Sequence, residues 1–146
     1  MGSRRVFTPG VPAAESFGRL TSAGFAVAAI DYRLTGEAIF PAQLDDVRAA
    51  LSWVQDQGTA QGIDPSRIVL WGESAGGHLA ALAGLDNQAG VRGVVDWYGP
   101  ADLASFPAPD AQTERPTREE QLIGGPVETH RPTAIEASTA FARRCT

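Results

Sequence analysis

The sequence predicts an α/β fold in which a mostly parallel sheet lies between helices. The first observation is a continuous apolar run at residues 25–30, because such a run is typical of a strand buried on both faces. The second is an amphipathic stretch at residues 41–57, in which apolar residues recur at helical spacing. The third is the alternation of strand and helix patterns through residues 67–71, 77–85 and 91–98. We therefore predict the order strand, helix, strand, helix, strand.

The crossover helix predicted at residues 41–57 has the clearest pattern. Pro41 suits the first turn of a helix, where its missing N–H costs nothing. Gly58 is predicted to end the helix. Most of the charged residues fall off the apolar stripe, which consists of Leu44, Val47, Leu51 and Val54.

Shorter elements and loops are predicted on either side of this region. Residues 1–14 have no lasting periodicity and are predicted to form a loop, followed by a short helix at residues 14–23. Residues 101–116 are rich in Pro, Ala and Asp, which again favours a loop. Two further helices are predicted at residues 118–123 and 134–144.

Composition and charge exclude several classes of function. The chain has 146 residues, of which 43% are apolar and 20% charged, as in an ordinary globular domain. A net charge of −5 and the lack of a basic run argue against nucleic-acid binding. No run approaches the roughly 18 apolar residues of a membrane span, and no signal peptide follows Met1. The single cysteine, Cys145, excludes an intrachain disulfide, and no metal-ligand spacing or phosphate loop is present, so we expect no cofactor and no metal.

The segment from Ile68 to His78 carries the chemistry of the sequence. It combines a short apolar strand, a serine with a glycine two residues before it and another two residues after it, and the start of a helix. This is the pattern of a nucleophile elbow, in which a tight turn exposes the serine hydroxyl above the sheet. Ser74 is therefore a candidate nucleophile, and Gly72 and Gly76 are the flanking glycines. The alternative is that Ser74 only caps the following helix.

Together with the elbow, four other segments resemble the α/β-hydrolases. Within that family the resemblance is to carboxylesterases and acetyl-esterases related to hormone-sensitive lipase and to the bacterial feruloyl-esterase-like group. It extends over most of the chain and rests on residues 31–34, 40–47, 62–68, 72–78 and 97–103.

The resemblance implies hydrolysis of small carboxylic esters by a Ser-His-Asp triad. Ser74 matches the nucleophile, and the backbone N–H of Ala75 matches one donor of the oxyanion hole. The implied fold is a partial three-layer α/β-hydrolase sandwich over residues 1–146 that lacks the first three and last two strands of the family, with a central region at 25–100 and a loop-rich tail at 101–146. The family's His-Gly-Gly oxyanion motif is absent, and the triad acid and histidine are expected beyond Thr146. The expectation is a serine hydrolase fragment that is inactive alone, and the alternative is an inactive remnant or interaction module.

A complete triad within the chain would need His78 or His130 as its base. His78 lies one turn into the helix after the serine, so a hydrogen bond inside the fold is the favoured interpretation. His130 completes the order Ser74, Asp102, His130, which matches the chain order of hydrolase triads, but no predicted strand brings it back to the serine.

Three other carboxylates are assigned local structural roles. Glu73 is expected to hold the loop around the elbow by hydrogen bonds, and Asp31 and Asp96 are expected to cap neighbouring helices.

Overall fold

Two parallel strands joined by a helix form the centre of the structure, a computed structural model that describes residues 13–106 and 115–139. Short 3₁₀ turns lie at Thr59–Gln61 and Leu103–Ser105. In chain order the helices and strands are α1 (Ala13–Ser22), α2 (Ala42–Gln57), β1 (Ile68–Glu73), α3 (Ala75–Leu85), β2 (Val91–Trp97), α4 (Arg118–Ile123) and α5 (Arg131–Glu136). The predicted parallel sheet is thus confirmed for this pair of strands.

The register of β1 and β2 places the start of α3 beside the end of β2. Leu70 pairs with Val94, Gly72 with Asp96, and Glu73 with Trp97. One face of the pair packs against α3, because a methyl group added at Gly84 of α3 would overlap the side chain of Val94. β1 continues two residues past the predicted strand and ends directly before Ser74.

The opposite face of the two strands carries exposed apolar side chains. Alternation along a strand places Val69 and Trp71 on the face away from Leu70. The rings of Trp71 and Trp97 meet edge to face, with centroids 5.2 Å apart. The four residues of this face, which we call the open face, are Val69, Trp71, Val95 and Trp97, with exposed fractions of 54%, 40%, 39% and 46%.

The prediction of a strand at residues 25–30 is wrong, since the structure has no strand there. The segment follows α1 in a non-regular conformation, and its large apolar side chains are exposed, with Phe25 at 58% and Ile30 at 43%. A strand needs a neighbour to satisfy its backbone N–H and C=O groups. No segment of the described chain pairs with residues 25–30, which is why their apolar pattern alone did not produce a strand.

α2 confirms the helix predicted at residues 41–57 almost to the residue, but its predicted role as a crossover is wrong in the described residues, since no strand precedes it. Leu44, Val47 and Leu51 of its stripe are buried, and so is Gln43, which was not predicted. The Gln43 side-chain nitrogen donates to the Ala38 carbonyl at 2.7 Å, whereas Oε1 is buried without a partner among the described residues. Gly58 caps the helix in a right-handed conformation, so the left-handed stop comes later, at Gly62.

The segment after β2 is built on short helices with specific caps. α4 spans the predicted residues, begins with a reciprocal capping box between Thr117 and Glu120, and ends at the left-handed Gly124. α5 begins three residues earlier than predicted, with Pro132 in its first turn, and ends at Glu136, so the predicted continuation through residues 137 and 138 is wrong. The remainder of that predicted helix, residues 140–144, and Cys145 lie outside the described residues.

The chain divides into two compact units, residues 1–32 and 33–146. The first contains α1, which confirms the predicted helix at residues 14–23 with a shift of one residue. The second contains the remaining elements. No helix in the described ranges 13–106 and 115–139 is long and apolar enough to cross a membrane.

Candidate active site

Ser74 occupies a sharp turn between β1 and α3. Its backbone has φ 51° and ψ −119°, a combination that a non-glycine residue adopts only under strain. Its amide donates to the Trp97 carbonyl at 2.8 Å, and its carbonyl accepts from the His78 amide at 3.0 Å. These two bonds hold the turn between the sheet and the first turn of α3.

The Ser74 side chain is exposed and does not cap α3. In the described part of the chain its hydroxyl makes no hydrogen bond, so the alternative of a serine used only as a cap does not fit this geometry. The first N–H groups of a helix have no acceptor within the helix. At α3 these groups begin with Ala75, next to the exposed hydroxyl, and the positive end of the helix dipole lies there as well.

Gly72 is required by the close approach of the strand to the helix that follows it. A Cβ at this position would overlap the backbone carbonyl of Gly76 and would lie 2.6 Å from the Gly77 nitrogen. Gly76 itself is different, because a Cβ there meets nothing within 4 Å outside its own helix. Of the two glycines of the motif, only the first is fixed by packing in the described residues.

The loop after β2, residues 97–100, is attached to the elbow by side chains as well as by backbone. The Tyr98 hydroxyl donates to Glu73 Oε2 at 3.0 Å, which confirms that Glu73 holds the loop around the elbow. Asp96 Oδ1 accepts from the Gly99 amide at 2.8 Å. Asp96 therefore holds this loop, and the prediction that it caps a helix is wrong.

His78 is buried and joins α3 to the same loop. Its Nδ1 lies 2.8 Å from the Pro100 carbonyl, which can only accept, so this nitrogen carries the proton. Burial lowers the pKa of the His78 imidazole, while the bond to Pro100 and the charge of Asp96 act in the opposite direction without offsetting it. The predicted structural hydrogen bond is confirmed, and Nε2 is left buried without a partner among the described residues.

His130 and Asp102 are engaged away from Ser74. His130 Nδ1 lies 2.9 Å from Thr129 Oγ1 and donates to the Pro126 carbonyl at 3.2 Å, within the loop before α5. Asp102 accepts from the backbone amides of Ala104 and Ser105. In residues 13–106 and 115–139, no hydrogen bond joins either side chain to Ser74 or to the other.

Sequence reasoning missed Tyr98. Its φ of 51° places a bulky aromatic residue in the left-handed region, and its ring is 71% exposed beside the elbow. The available signal was its position directly after the strand that pairs with β1, since polar side chains at the carboxyl ends of neighbouring parallel strands come together.

No metal site accompanies the elbow in the described residues, where no three His, Cys, Asp or Glu side chains cluster. A cavity of about 310 Å³ lies elsewhere, between α2 and α3, and is lined by residues that include Phe40, Leu44, Arg48 and Leu82. Arg48 is paired there with Asp45 and Asp86. This cavity is therefore separate from the candidate nucleophile.

Comparison with known proteins places this geometry in a family. The BD-FAE family model matches residues 12–141. Carboxylesterase NlhH of Mycobacterium tuberculosis is 41% identical over 87 residues, which is 57% of this chain and 27% of that protein. The ethyl acetate hydrolase of Pseudomonas putida is 35% identical over 96 residues, which is 65% of this chain and 29% of that protein. The chain thus spans less than a third of the length of these curated relatives.

Two solved structures share the fold. A truncated form of a carbohydrate esterase from gut microbiota superimposes with a TM-score of 0.72 at 34% identity, over 84% of this chain and 52% of that one. A bifunctional GH43-CE protein of Bacteroides eggerthii gives a TM-score of 0.74 at 30% identity, over 89% of this chain and 20% of that one. The chain belongs to the BD-FAE family of esterase-type hydrolases and has a partial α/β-hydrolase fold.

Proposed function

We propose that this chain carries the nucleophile of a carboxylic-ester hydrolase, and that the nucleophile is Ser74. The observation that carries the proposal is the strained turn at Ser74, which leaves its hydroxyl exposed and uncapped at the start of α3. A hydroxyl used for structure would have a partner, and strain of this kind is retained where the surrounding fold enforces it.

The proposed reaction is acyl transfer followed by hydrolysis. Ser74 Oγ attacks the carbonyl carbon of the ester, its proton passes to a base, and the carbonyl oxygen becomes an oxyanion. The Ala75 N–H, at the positive end of α3, donates to that oxyanion. The C–O bond then breaks, the alcohol leaves with a proton, and water releases the acid from the acyl-serine.

The base of this reaction is not one of the described histidines. The His78 ring is buried with Nδ1 bound to Pro100, and the His130 ring is bound within its own loop. A serine without a base stays protonated at neutral pH and is a weak nucleophile. Ser74 in this chain is therefore expected to react slowly, although the oxyanion donor alone retains part of the rate enhancement of such sites.

The substrate class is a small carboxylic ester. The supporting relatives are named as a carboxylesterase, an ethyl acetate hydrolase and a carbohydrate esterase. The reactions that these names denote share one step, in which an oxygen nucleophile attacks the carbonyl carbon of an ester.

A fluorophosphonate probe tests the proposal, because it phosphonylates nucleophilic serines and leaves a stable adduct, so that even a slow reaction accumulates product. The adduct is mapped by peptide mass spectrometry in the unaltered chain, in Ser74→Ala and in a matched control. Ser52→Ala is the control, since Ser52 is also exposed but lies on α2. We expect labelling at Ser74 that is lost in Ser74→Ala and retained in Ser52→Ala. Labelling spread over several serines at equal rates would contradict the proposal.

A second candidate is a catalytically inactive remnant or an interaction module that keeps the hydrolase core. The observation that favours it is that the ring of neither described histidine is hydrogen-bonded to Ser74. The same probe separates the two, because an inactive remnant gives no preference for Ser74 even after long exposure.

A further inference from the structure

Tyr98 stands out among the residues near the elbow, because it has no role in the chemistry proposed above and yet has an unusual backbone. Ser74 and Tyr98 both have φ of 51°, and each follows the last residue of one of the paired strands. Positive φ is costly for a bulky aromatic residue and persists only where the surroundings impose it. Two such residues side by side at one sheet edge indicate a shared constraint.

The contact between the two loops supplies that constraint. The Tyr98 hydroxyl donates to Glu73 Oε2 at 3.0 Å, and Glu73 is the residue directly before Ser74. One residue further along, the Ser74 amide donates to the Trp97 carbonyl at 2.8 Å. The peptide of the elbow is thus tied to the loop after β2 at two successive positions, once through a side chain and once through the backbone.

The loop that carries Tyr98 is itself fixed on its other side. Asp96 Oδ1 accepts from the Gly99 amide, and the His78 ring donates to the Pro100 carbonyl. A Cβ at Gly99 would lie 2.5 Å from the His78 amide nitrogen, so the loop touches the backbone of α3. Tyr98 therefore lies on a loop that is fixed by several hydrogen bonds. Its own hydrogen bond to Glu73 fixes the Glu73 side chain relative to that loop.

We propose that Tyr98 is a positioning residue for Ser74, acting through its hydrogen bond to Glu73. The inference rests on the proposed function of Ser74 and adds a residue outside the Gly-x-Ser-x-Gly segment to the machinery that orients the nucleophile. Tyr98 holds the Glu73 carboxylate against the loop, and this keeps the peptide before Ser74 in the strained conformation that exposes the hydroxyl.

The test measures the rate at which the fluorophosphonate labels Ser74 in variants of the pair. Tyr98→Phe keeps the ring and removes only the donor, and Glu73→Ala removes the acceptor. Each is expected to slow labelling about three- to fivefold, the effect of one net hydrogen bond. The double variant is expected to be no slower than either single variant, because both changes break the same bond. Glu73→Gln keeps an acceptor oxygen and is expected to restore most of the rate.

Two further measurements separate positioning from general stability. Tyr32→Phe is the matched control, since it removes the other tyrosine hydroxyl of the chain and is expected to label at the unaltered rate. In the Tyr32→Phe variant, tyrosinate absorbance comes from Tyr98 alone. The bond to Glu73 raises the pKa of Tyr98, so Glu73→Gln, which removes the charge, is expected to lower it while thermal midpoints stay the same.

The outcomes distinguish this inference from the proposed function. If Ser74 is labelled in the unaltered chain but Tyr98→Phe and Glu73→Ala label at the same rate, the positioning role is wrong and the nucleophile stands. Additive slowing in the double variant also overturns the positioning role. If the unaltered chain shows no preference for Ser74, the proposed function fails and this inference fails with it.

Discussion

Replacing Gly72 by alanine tests whether the elbow is built by close packing. The added methyl group would overlap the Gly76 carbonyl and lie 2.6 Å from the Gly77 nitrogen. These are backbone atoms of the first turn of α3, so they cannot rotate away as a side chain would. The strand and the helix must therefore move apart, which disturbs the turn at Ser74.

The expected cost follows from that overlap. Adding a methyl group to a closely packed site costs about 1–3 kcal/mol, and a contact with backbone places Gly72→Ala near the upper end, about 3 kcal/mol. A whole domain is stable by only about 5–15 kcal/mol, so this loss is a large fraction of the free energy of unfolding.

Gly76→Ala is the matched control, because it makes the same chemical change in the same motif without an overlap. Alanine is a better helix former than glycine, so this variant is expected to be unchanged or more stable by up to about 1 kcal/mol. Urea unfolding followed by tryptophan fluorescence measures both free energies. The reasoning is refuted if Gly72→Ala unfolds within about 0.5 kcal/mol of the unaltered chain, the usual range of neutral surface changes.

Two further predictions concern stability and the open face. Burial lowers the pKa of His78, so below the usual histidine pKa of about 6.5 the unfolded chain binds a proton that the folded chain does not. The free energy of unfolding is therefore expected to decrease as the pH is lowered through this range. Thermal midpoints measured from neutral pH down to about pH 5 give this loss of stability. The loss is expected to be smaller in His78→Gln than in the unaltered chain, and equal losses in the two would contradict the assignment to His78. The open face, which includes Trp71 and Trp97, is expected to bind a hydrophobic fluorescent dye. Binding should be weaker in Trp71→Gln than in the exposed α2 control Trp53→Gln, and equal binding in the two would show that the dye lies elsewhere.

The helices α2 and α4 were predicted correctly because their stabilising features are local. α2 has an apolar stripe and a proline in the turn before it, and α4 has its own capping box and a terminal glycine. The strand and helix around Ser74 were likewise predicted from the motif and its context. In α2 and α4 neighbouring residues along the chain supply the decisive interactions, whereas β1 also needs its pairing with β2.

The features that could not be predicted depend on partners distant in sequence. The apolar run at residues 25–30 has the composition of a strand, but pairing decides whether a strand forms. The bond between Glu73 and Tyr98 depends on the register of β1 and β2, which no local pattern encodes.

The most direct test of the central claim is to find where an acyl group attaches. The chain is incubated with an activated aryl ester of acetic acid and analysed by peptide mass spectrometry. The sequence contains no lysine, so side-chain amines do not compete for the acyl group. We predict an acyl adduct at Ser74 that accumulates, because no described base is placed to deprotonate the water that would hydrolyse it, and that is absent in Ser74→Ala. Acylation at other residues with none at Ser74 would contradict the assignment of Ser74 as the nucleophile.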